Sequence, residues 1–168
     1  MGAGKTTLGR LVAKRLGMEF YDLDWYIESR FRTTVSDIFR RKGEEAFREM
    51  ERNMLHELAE YENIIISAGG GTPCFFDNME YMNQQAETVY LQASVHTLYA
   101  HLMMAKGKRP LLEGKTPEQL KAFISDTLEH REPFYLKAKH VFTIELMDSR
   151  SKMDEMAEKV IRQFGLNE

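Results

Sequence analysis

The chain has 168 residues, 43% of them apolar and 29% charged, and a net charge of −3. That length fits one domain with a sizeable core, and the slight acidity argues against nucleic acid or a membrane surface as the main partner. A single cysteine, Cys74, excludes an internal disulfide framework and a cysteine-built zinc site, and points to a reducing, cytoplasmic setting.

No apolar run approaches the ~18 residues that a bilayer span requires. Lys5 and Arg10 stand where a secretory leader is apolar. In chain order, residues 5–17 read as a helix closed by Gly17. "MEFYDLD" reads as a strand running into a loop, and "WYIESRF" and "VSDIFRR" as short helices. Gly43 then opens a longer helix, because Ala46, Phe47, Met50, Met54, Leu55 and Leu58 recur at spacings of three and four. "NIIISA", "TVYLQA" and "HVFTIELM" read as three further strands; continuous apolar runs of this length suit strands buried on both faces. Helical patterns cover about 94–105, 116–130 and 150–164, the second of them ended by Pro133. Strands alternating with helices predict an α/β fold, a parallel sheet with helices on both faces. Ligands in such folds bind beyond the carboxyl ends of the strands.

The residues at those ends carry the chemistry. "GAGKTT" places Gly2, Ala3 and Gly4 before a helix, and a glycine-rich backbone with a helix N-terminus behind it suits a phosphate. Lys5 then reaches the outer phosphates, Thr6 offers its hydroxyl to Mg²⁺, and Thr7 continues the loop. Only the second half of the G-x-x-x-x-G-K-[ST] pattern is present; its first glycine falls before Met1. The strand ending in "YDLDW" delivers Asp22 and Asp24, which face the same way because side chains alternate along a strand, and suit water-mediated Mg²⁺ coordination and hydroxyl activation. A polar cap on the next helix is the other use for an aspartate there. Gly69, Gly70 and Gly71 directly follow a buried strand, where bare backbone N–H groups can approach a ligand. Arg48, Arg109 and Arg131 are forks for a carboxylate or a phosphate if they converge.

The set "GAGKTTLGR", "DLDWYIE", "DIFRRKGEEAFREME", "SAGGGT", "KRPLL" and "REPFY", in this order, resembles shikimate kinase from Met1 to about Phe142. "GKTT" alone indicates only a P-loop; F-R-x-x-E, then G-G-G, then R-P-L-L is far more specific. The resemblance implies a single three-layer P-loop kinase domain over 1–168, with strand order 2-3-1-4-5 and a lid over about 105–117. It implies ATP-dependent phosphorylation of the shikimate 3-hydroxyl on the route to chorismate and the aromatic amino acids, by a monomer. It assigns Lys5 and Thr6 to the phosphates and Mg²⁺, Asp22 to Mg²⁺ through water, and Asp24 to the substrate hydroxyl. It assigns Arg48 and Arg131 to the shikimate carboxylate, Gly69 to Gly71 to the substrate side, and Arg109 to the transferring phosphate. Trp25, the only tryptophan, sits beside Asp24 as a fluorescent reporter.

Two departures stand out. Leu102 occupies the place seven before the lid arginine where many members carry an arginine against the adenine. The family's first strand, central in its sheet, is missing ahead of "MGAGKTT". Losing several buried side chains at ~1.5–3 kcal/mol each could exceed a total stability of ~5–15 kcal/mol. The expectation is therefore a displaced start or a partial chain of a longer kinase, folding poorly and phosphorylating weakly by itself. Two other readings stay open. One is a different small-molecule P-loop kinase: a gluconate kinase, which also takes a carboxylate, or more remotely a nucleoside-monophosphate kinase. The other is a truncated, non-catalytic P-loop domain.

Overall fold

The computed structural model describes residues 2–105 and 114–165. Helix α1 (Lys5–Leu16) buries Leu8, Val12 and Ala13 and stops at Gly17, whose φ of 67° an L side chain rarely adopts. Strand β1 (Glu19–Asp22) runs straight into α2 (Leu23–Phe31), which Asp22 caps. Helix α3 (Val35–Ala59) is broken at Gly43, with φ 82° and ψ 173°, where the sequence pattern changes from the short helix to the long one. Then come β2 (Ile64–Ser67), a 3₁₀ turn (Thr72–Cys74), α4 (Asn78–Gln85), β3 (Val89–Gln92) and α5 (Val95–Met104). Helix α6 (Pro117–Tyr135), β4 (His140–Thr143) and α7 (Arg150–Gln163) complete the order.

The apolar strand runs pair in parallel, as their two-sided burial requires. β1 lies on β2 with Asp22 opposite Ser67, and β3 lies on β4 with Gln92 opposite Thr143. Helices cover both faces of the first pair. On one face Ile65 joins a core with Leu8 and Val12 of α1 and Ala157 and Ile161 of α7. On the other face Tyr21 and Ile66 join Leu23, Ile27, Phe47, Leu55 and Leu58 of α2 and α3. Gly9 permits this closeness: a Cβ there would stand 2.7 Å from the Phe20 ring.

Among the described residues no ladder joins β2 to β3; the four strands form two separate two-stranded sheets. Among the described residues no strand lies between them, so β2 and β3 each keep a backbone edge without a strand partner. Partly buried Ile65 and Leu91 nonetheless pack on one common core.

Three sequence expectations change. The strand expected over "HVFTIELM" stops at Thr143, because its partner β3 ends at Gln92. The Ile144 N–H still reaches the Gln92 carbonyl at 2.7 Å, and Ile144 and Met147 then enter the core from a loop. Pro133 does not end α6: it lies in the last turn, where one lost N–H bond is tolerated, and the helix continues to Tyr135. The 3₁₀ turn and α4 were not anticipated; buried Asn78 joins them by donating to the Thr72 carbonyl at 2.9 Å.

Candidate active site

The sheet order brings the ends of β1 and β2 to the N-terminus of α1. Gly4 precedes that helix with φ 78°, and no side chain caps its first N–H groups, which leaves them available to an anion. Gly2 also takes a left-handed φ, 72°, and Ala3 behind it is buried. The Thr6 hydroxyl donates to Asp22 Oδ2 at 2.8 Å, while Thr7 is exposed. Asp22 takes the cap position weighed from the sequence: its Oδ1 accepts from the Asp24 N–H at 3.1 Å, while its Oδ2 accepts from Thr6. A hydroxyl and a carboxylate side by side at an uncapped helix start fit Mg²⁺, which prefers hard oxygen donors and keeps several waters or phosphate oxygens of its own.

Lys5, Thr6, Asp22, Asp24, Gly69, Gly70 and Arg131 line one cavity of about 400 Å³. Burial pushes the Lys5 ammonium below its ordinary range, and Asp22 and Asp24 oppose that shift. Burial, then the neighbouring charges of Asp22 and Glu51, raises Asp24 to about 6, with Lys5 pulling the other way. Two carboxylates two residues apart are thus differentiated by environment: one serves as cap and hydroxyl acceptor, the other as a basic group on the cavity wall.

Arg48 stands behind the glycine run rather than on the cavity lining. A Cβ on Gly71 would meet its guanidinium nitrogens at 2.6 and 2.7 Å. Buried Glu51 holds Arg48 at 2.9 Å and the more exposed Glu44 at 3.0 Å, and the guanidinium lies 4.1 Å from the Phe75 ring centroid. Glu51 also accepts from the Thr72 hydroxyl at 2.6 Å, so one buried carboxylate locks both the arginine and the turn after the glycines. Arg131 comes from α6, and among the described residues no carboxylate pairs with it within 4 Å. Both arginines bear on Cys74, yet burial dominates and pushes its thiol up, so Cys74 is not an activated nucleophile.

Arg109 and most of the 105–117 segment lie outside the described residues. Leu102 is a core residue, 2% exposed, beneath Gly2. Its neighbour His101 carries a link that sequence reasoning missed. The Met147 N–H donates to Nε2 at 2.9 Å, so Nδ1 holds the proton and donates to the Gly2 carbonyl at 2.8 Å. This ties the phosphate loop to the loop after β4. Ser67, Ala68, Phe123 and Thr127 complete the cavity lining and were also missed. A signal existed for two of them: Phe123 and Thr127 precede Arg131 by eight and four residues, on one helix face.

The family model described as shikimate kinase matches residues 1–164. The chain belongs to the shikimate kinase family. It is 52% identical to a shikimate kinase of Parabacteroides distasonis over 162 residues, 96% of this chain and 94% of that one. The crystal structure of shikimate kinase from Bacteroides thetaiotaomicron superposes with a TM-score of 0.95 at 47% identity, over 98% of this chain and 94% of that one. Shikimate kinase from Acinetobacter baumannii in complex with shikimate gives 0.82 at 35% identity, over 100% of this chain and 90% of that one. The fold is that of this P-loop kinase family, as the motif order led one to expect.

Proposed function

We propose that this chain transfers a phosphoryl group from ATP to the 3-hydroxyl of shikimate, serving aromatic amino acid synthesis as a monomer in the cytoplasm. The observation that carries the reading is one cavity of about 400 Å³ lined together by the phosphate-loop lysine, Asp24, two glycines of the run and Arg131. Shikimate is a small polyol with one carboxylate. Cations and backbone N–H groups suit its carboxylate, and a basic aspartate suits its hydroxyl. The shikimate bound in the A. baumannii relative supports the same choice of acceptor. A separate gluconate or nucleotide acceptor is not favoured, since the relatives named here are shikimate kinases.

In this reading Arg131 and the glycine run hold the carboxylate, with Arg48 supporting that run from behind. Asp24, at about 6, is ionised at neutral pH. It accepts a hydrogen bond from the acceptor hydroxyl and takes its proton as the oxygen bonds to phosphorus and the bond to ADP breaks. Lys5 and the free N–H groups of α1 neutralise phosphate charge; such transfer depends mainly on positioning and charge. Thr6 and Asp22 would hold Mg²⁺, which supplies charge neutralisation between phosphate oxygens when bound. The roles of Arg109 and of a lid over 105–117 rest on the resemblance alone. One domain and a reducing compartment fit the shared core and the single cysteine.

The test is ADP release with shikimate, gluconate and AMP supplied in turn, with Mg²⁺. Turnover on shikimate with the other two near background is expected; turnover on gluconate or AMP with none on shikimate would overturn the assignment.

A further inference from the structure

Helix α6 presents Phe123, Thr127 and Arg131 to the cavity at intervals of four residues. Tyr135 is the next residue in that series and the last of the helix. Its hydroxyl donates to the Gly70 carbonyl at 2.5 Å, a contact between residues 65 apart in the chain. Gly70 is itself part of the cavity lining. From the geometry we infer that Tyr135 is a positioning residue for acceptor binding: its hydroxyl fixes the orientation of the Gly70–Gly71 peptide and joins the glycine run to the wall that carries Arg131.

A peptide between two glycines lacks the Cβ atoms that hinder rotation, so its plane can turn over at little cost. The peptide is planar and trans, so a held Gly70 carbonyl also sets the direction of the Gly71 N–H, on the opposite side. Without that anchor the run of three glycines has many orientations of similar energy, and a ligand relying on its N–H groups must order them on binding.

Tyr135 is well placed to serve as the anchor. Its ring lies 5.1 Å from that of buried Tyr90. The Tyr90 hydroxyl and the Gln92 amide both donate to Glu132 Oε1 at 3.1 Å, which moors the last turn of α6 to β3. Burial raises the Tyr135 phenol above its ordinary range, so it stays a donor, and Arg131 opposes that shift from close by. One hydroxyl thus lies between the two groups assigned to the shikimate carboxylate, and this role rests on that assignment.

The test is Tyr135→Phe in the full chain, which keeps the ring and removes only the oxygen. Steady-state kinetics, shikimate titration of Trp25 fluorescence and thermal unfolding are compared with wild type. The shikimate KM and Kd are expected to rise about tenfold, with kcat within about threefold and the ATP KM and melting temperature nearly unchanged. Shikimate constants within twofold of wild type, or a parallel rise in the ATP KM, would overturn the inference. Tyr90→Phe removes a hydroxyl from the same cluster without touching the glycine run, and is expected to leave the shikimate KM within twofold. An equal rise there would assign the effect to packing and overturn the role of the Tyr135 hydroxyl. A wild-type chain that turns over gluconate or AMP and not shikimate sinks the acceptor assignment and this role together; an active wild type with an unaltered Tyr135→Phe sinks this role alone.

Discussion

Gly71→Ala tests whether Arg48 acts through the glycine run. Gly71 has φ −88° and ψ −24°, a conformation alanine adopts freely, so the backbone is not the obstacle. The obstacle is Arg48: the new methyl would lie 2.6 Å from Nη2, 2.7 Å from Nη1 and 2.9 Å from Cζ, where ordinary contact begins at 3.4 Å. Something must yield by about 0.8 Å. The guanidinium cannot swing away as the tip of a surface arginine could, because Glu51 holds it at 2.9 Å in the interior and Phe75 lies against it. A retreat of that size takes a 2.9 Å hydrogen bond past the ~3.5 Å at which it stops counting. Overpacking of this kind costs about 1–3 kcal/mol. If that cost falls on the acceptor site, it corresponds to roughly 5- to 150-fold in affinity. The assay is shikimate KM and ATP KM side by side, with thermal unfolding to follow the fold. The shikimate KM is expected to rise at least tenfold, the ATP KM to stay within twofold, and the melting temperature to fall by a few degrees. Gly69→Ala should be milder, since its nearest contacts are 3.0 Å from Thr72 Oγ1 and 3.1 Å from Glu51 Oε1. An unchanged shikimate KM in a folded Gly71→Ala enzyme refutes the idea that Arg48 and the glycines act together.

Asp24→Asn is expected to abolish most turnover and yet to stabilise the ligand-free, Mg²⁺-free protein at neutral pH. The folded pKa of about 6 exceeds the ordinary 3.8, so the proton binds the folded form more tightly and ionisation costs stability as the pH rises through 6. Two units set a ceiling of about 3 kcal/mol, lowered by the solvent that reaches the group; the variant's advantage should be present at pH 7.5 and gone by pH 4, and a melting difference that ignores pH would count against the assigned environment. Glu51→Gln leaves the Arg48 charge buried with only exposed Glu44 beside it. We expect a loss of about 2–3 kcal/mol, read by denaturant unfolding, together with a raised shikimate KM; wild-type stability would show that Glu44 alone suffices.

Strand identity, and the order of the helices apart from α4, were legible because apolar runs and helical periods survive in one dimension. The strand read over "MEFYDLD" with a loop behind it ends earlier than expected: Asp22 caps α2 directly, so Asp24 lies in the first turn of a helix and not at a strand end. The end of β4 was not legible, because a strand stops where its partner stops, and Gln92 lies 51 residues before Thr143 in the chain. The persistence of α6 through Pro133 was hidden for a related reason. A proline in the last turn forfeits one bond, and the contacts of Glu132 and Tyr135 with β3 and the glycine run help hold that turn. Among the described residues the strands form two separate parallel pairs that share one core.

The sequence by itself determined the chemical inventory. A lysine follows a glycine loop, two aspartates follow a strand, three glycines follow another, and arginines punctuate the helices; together these motifs are specific enough to indicate the family. Tertiary structure decided which of them share a space and in what role. Lys5, Asp24, Gly70 and Arg131 meet in one cavity because parallel strands place their carboxyl ends together. Arg48 is buried and held by Glu51, one turn along the same helix. Leu102 became core, and Tyr135 found Gly70. Such pairings depend on burial and on contacts between distant segments, which local spacing does not encode.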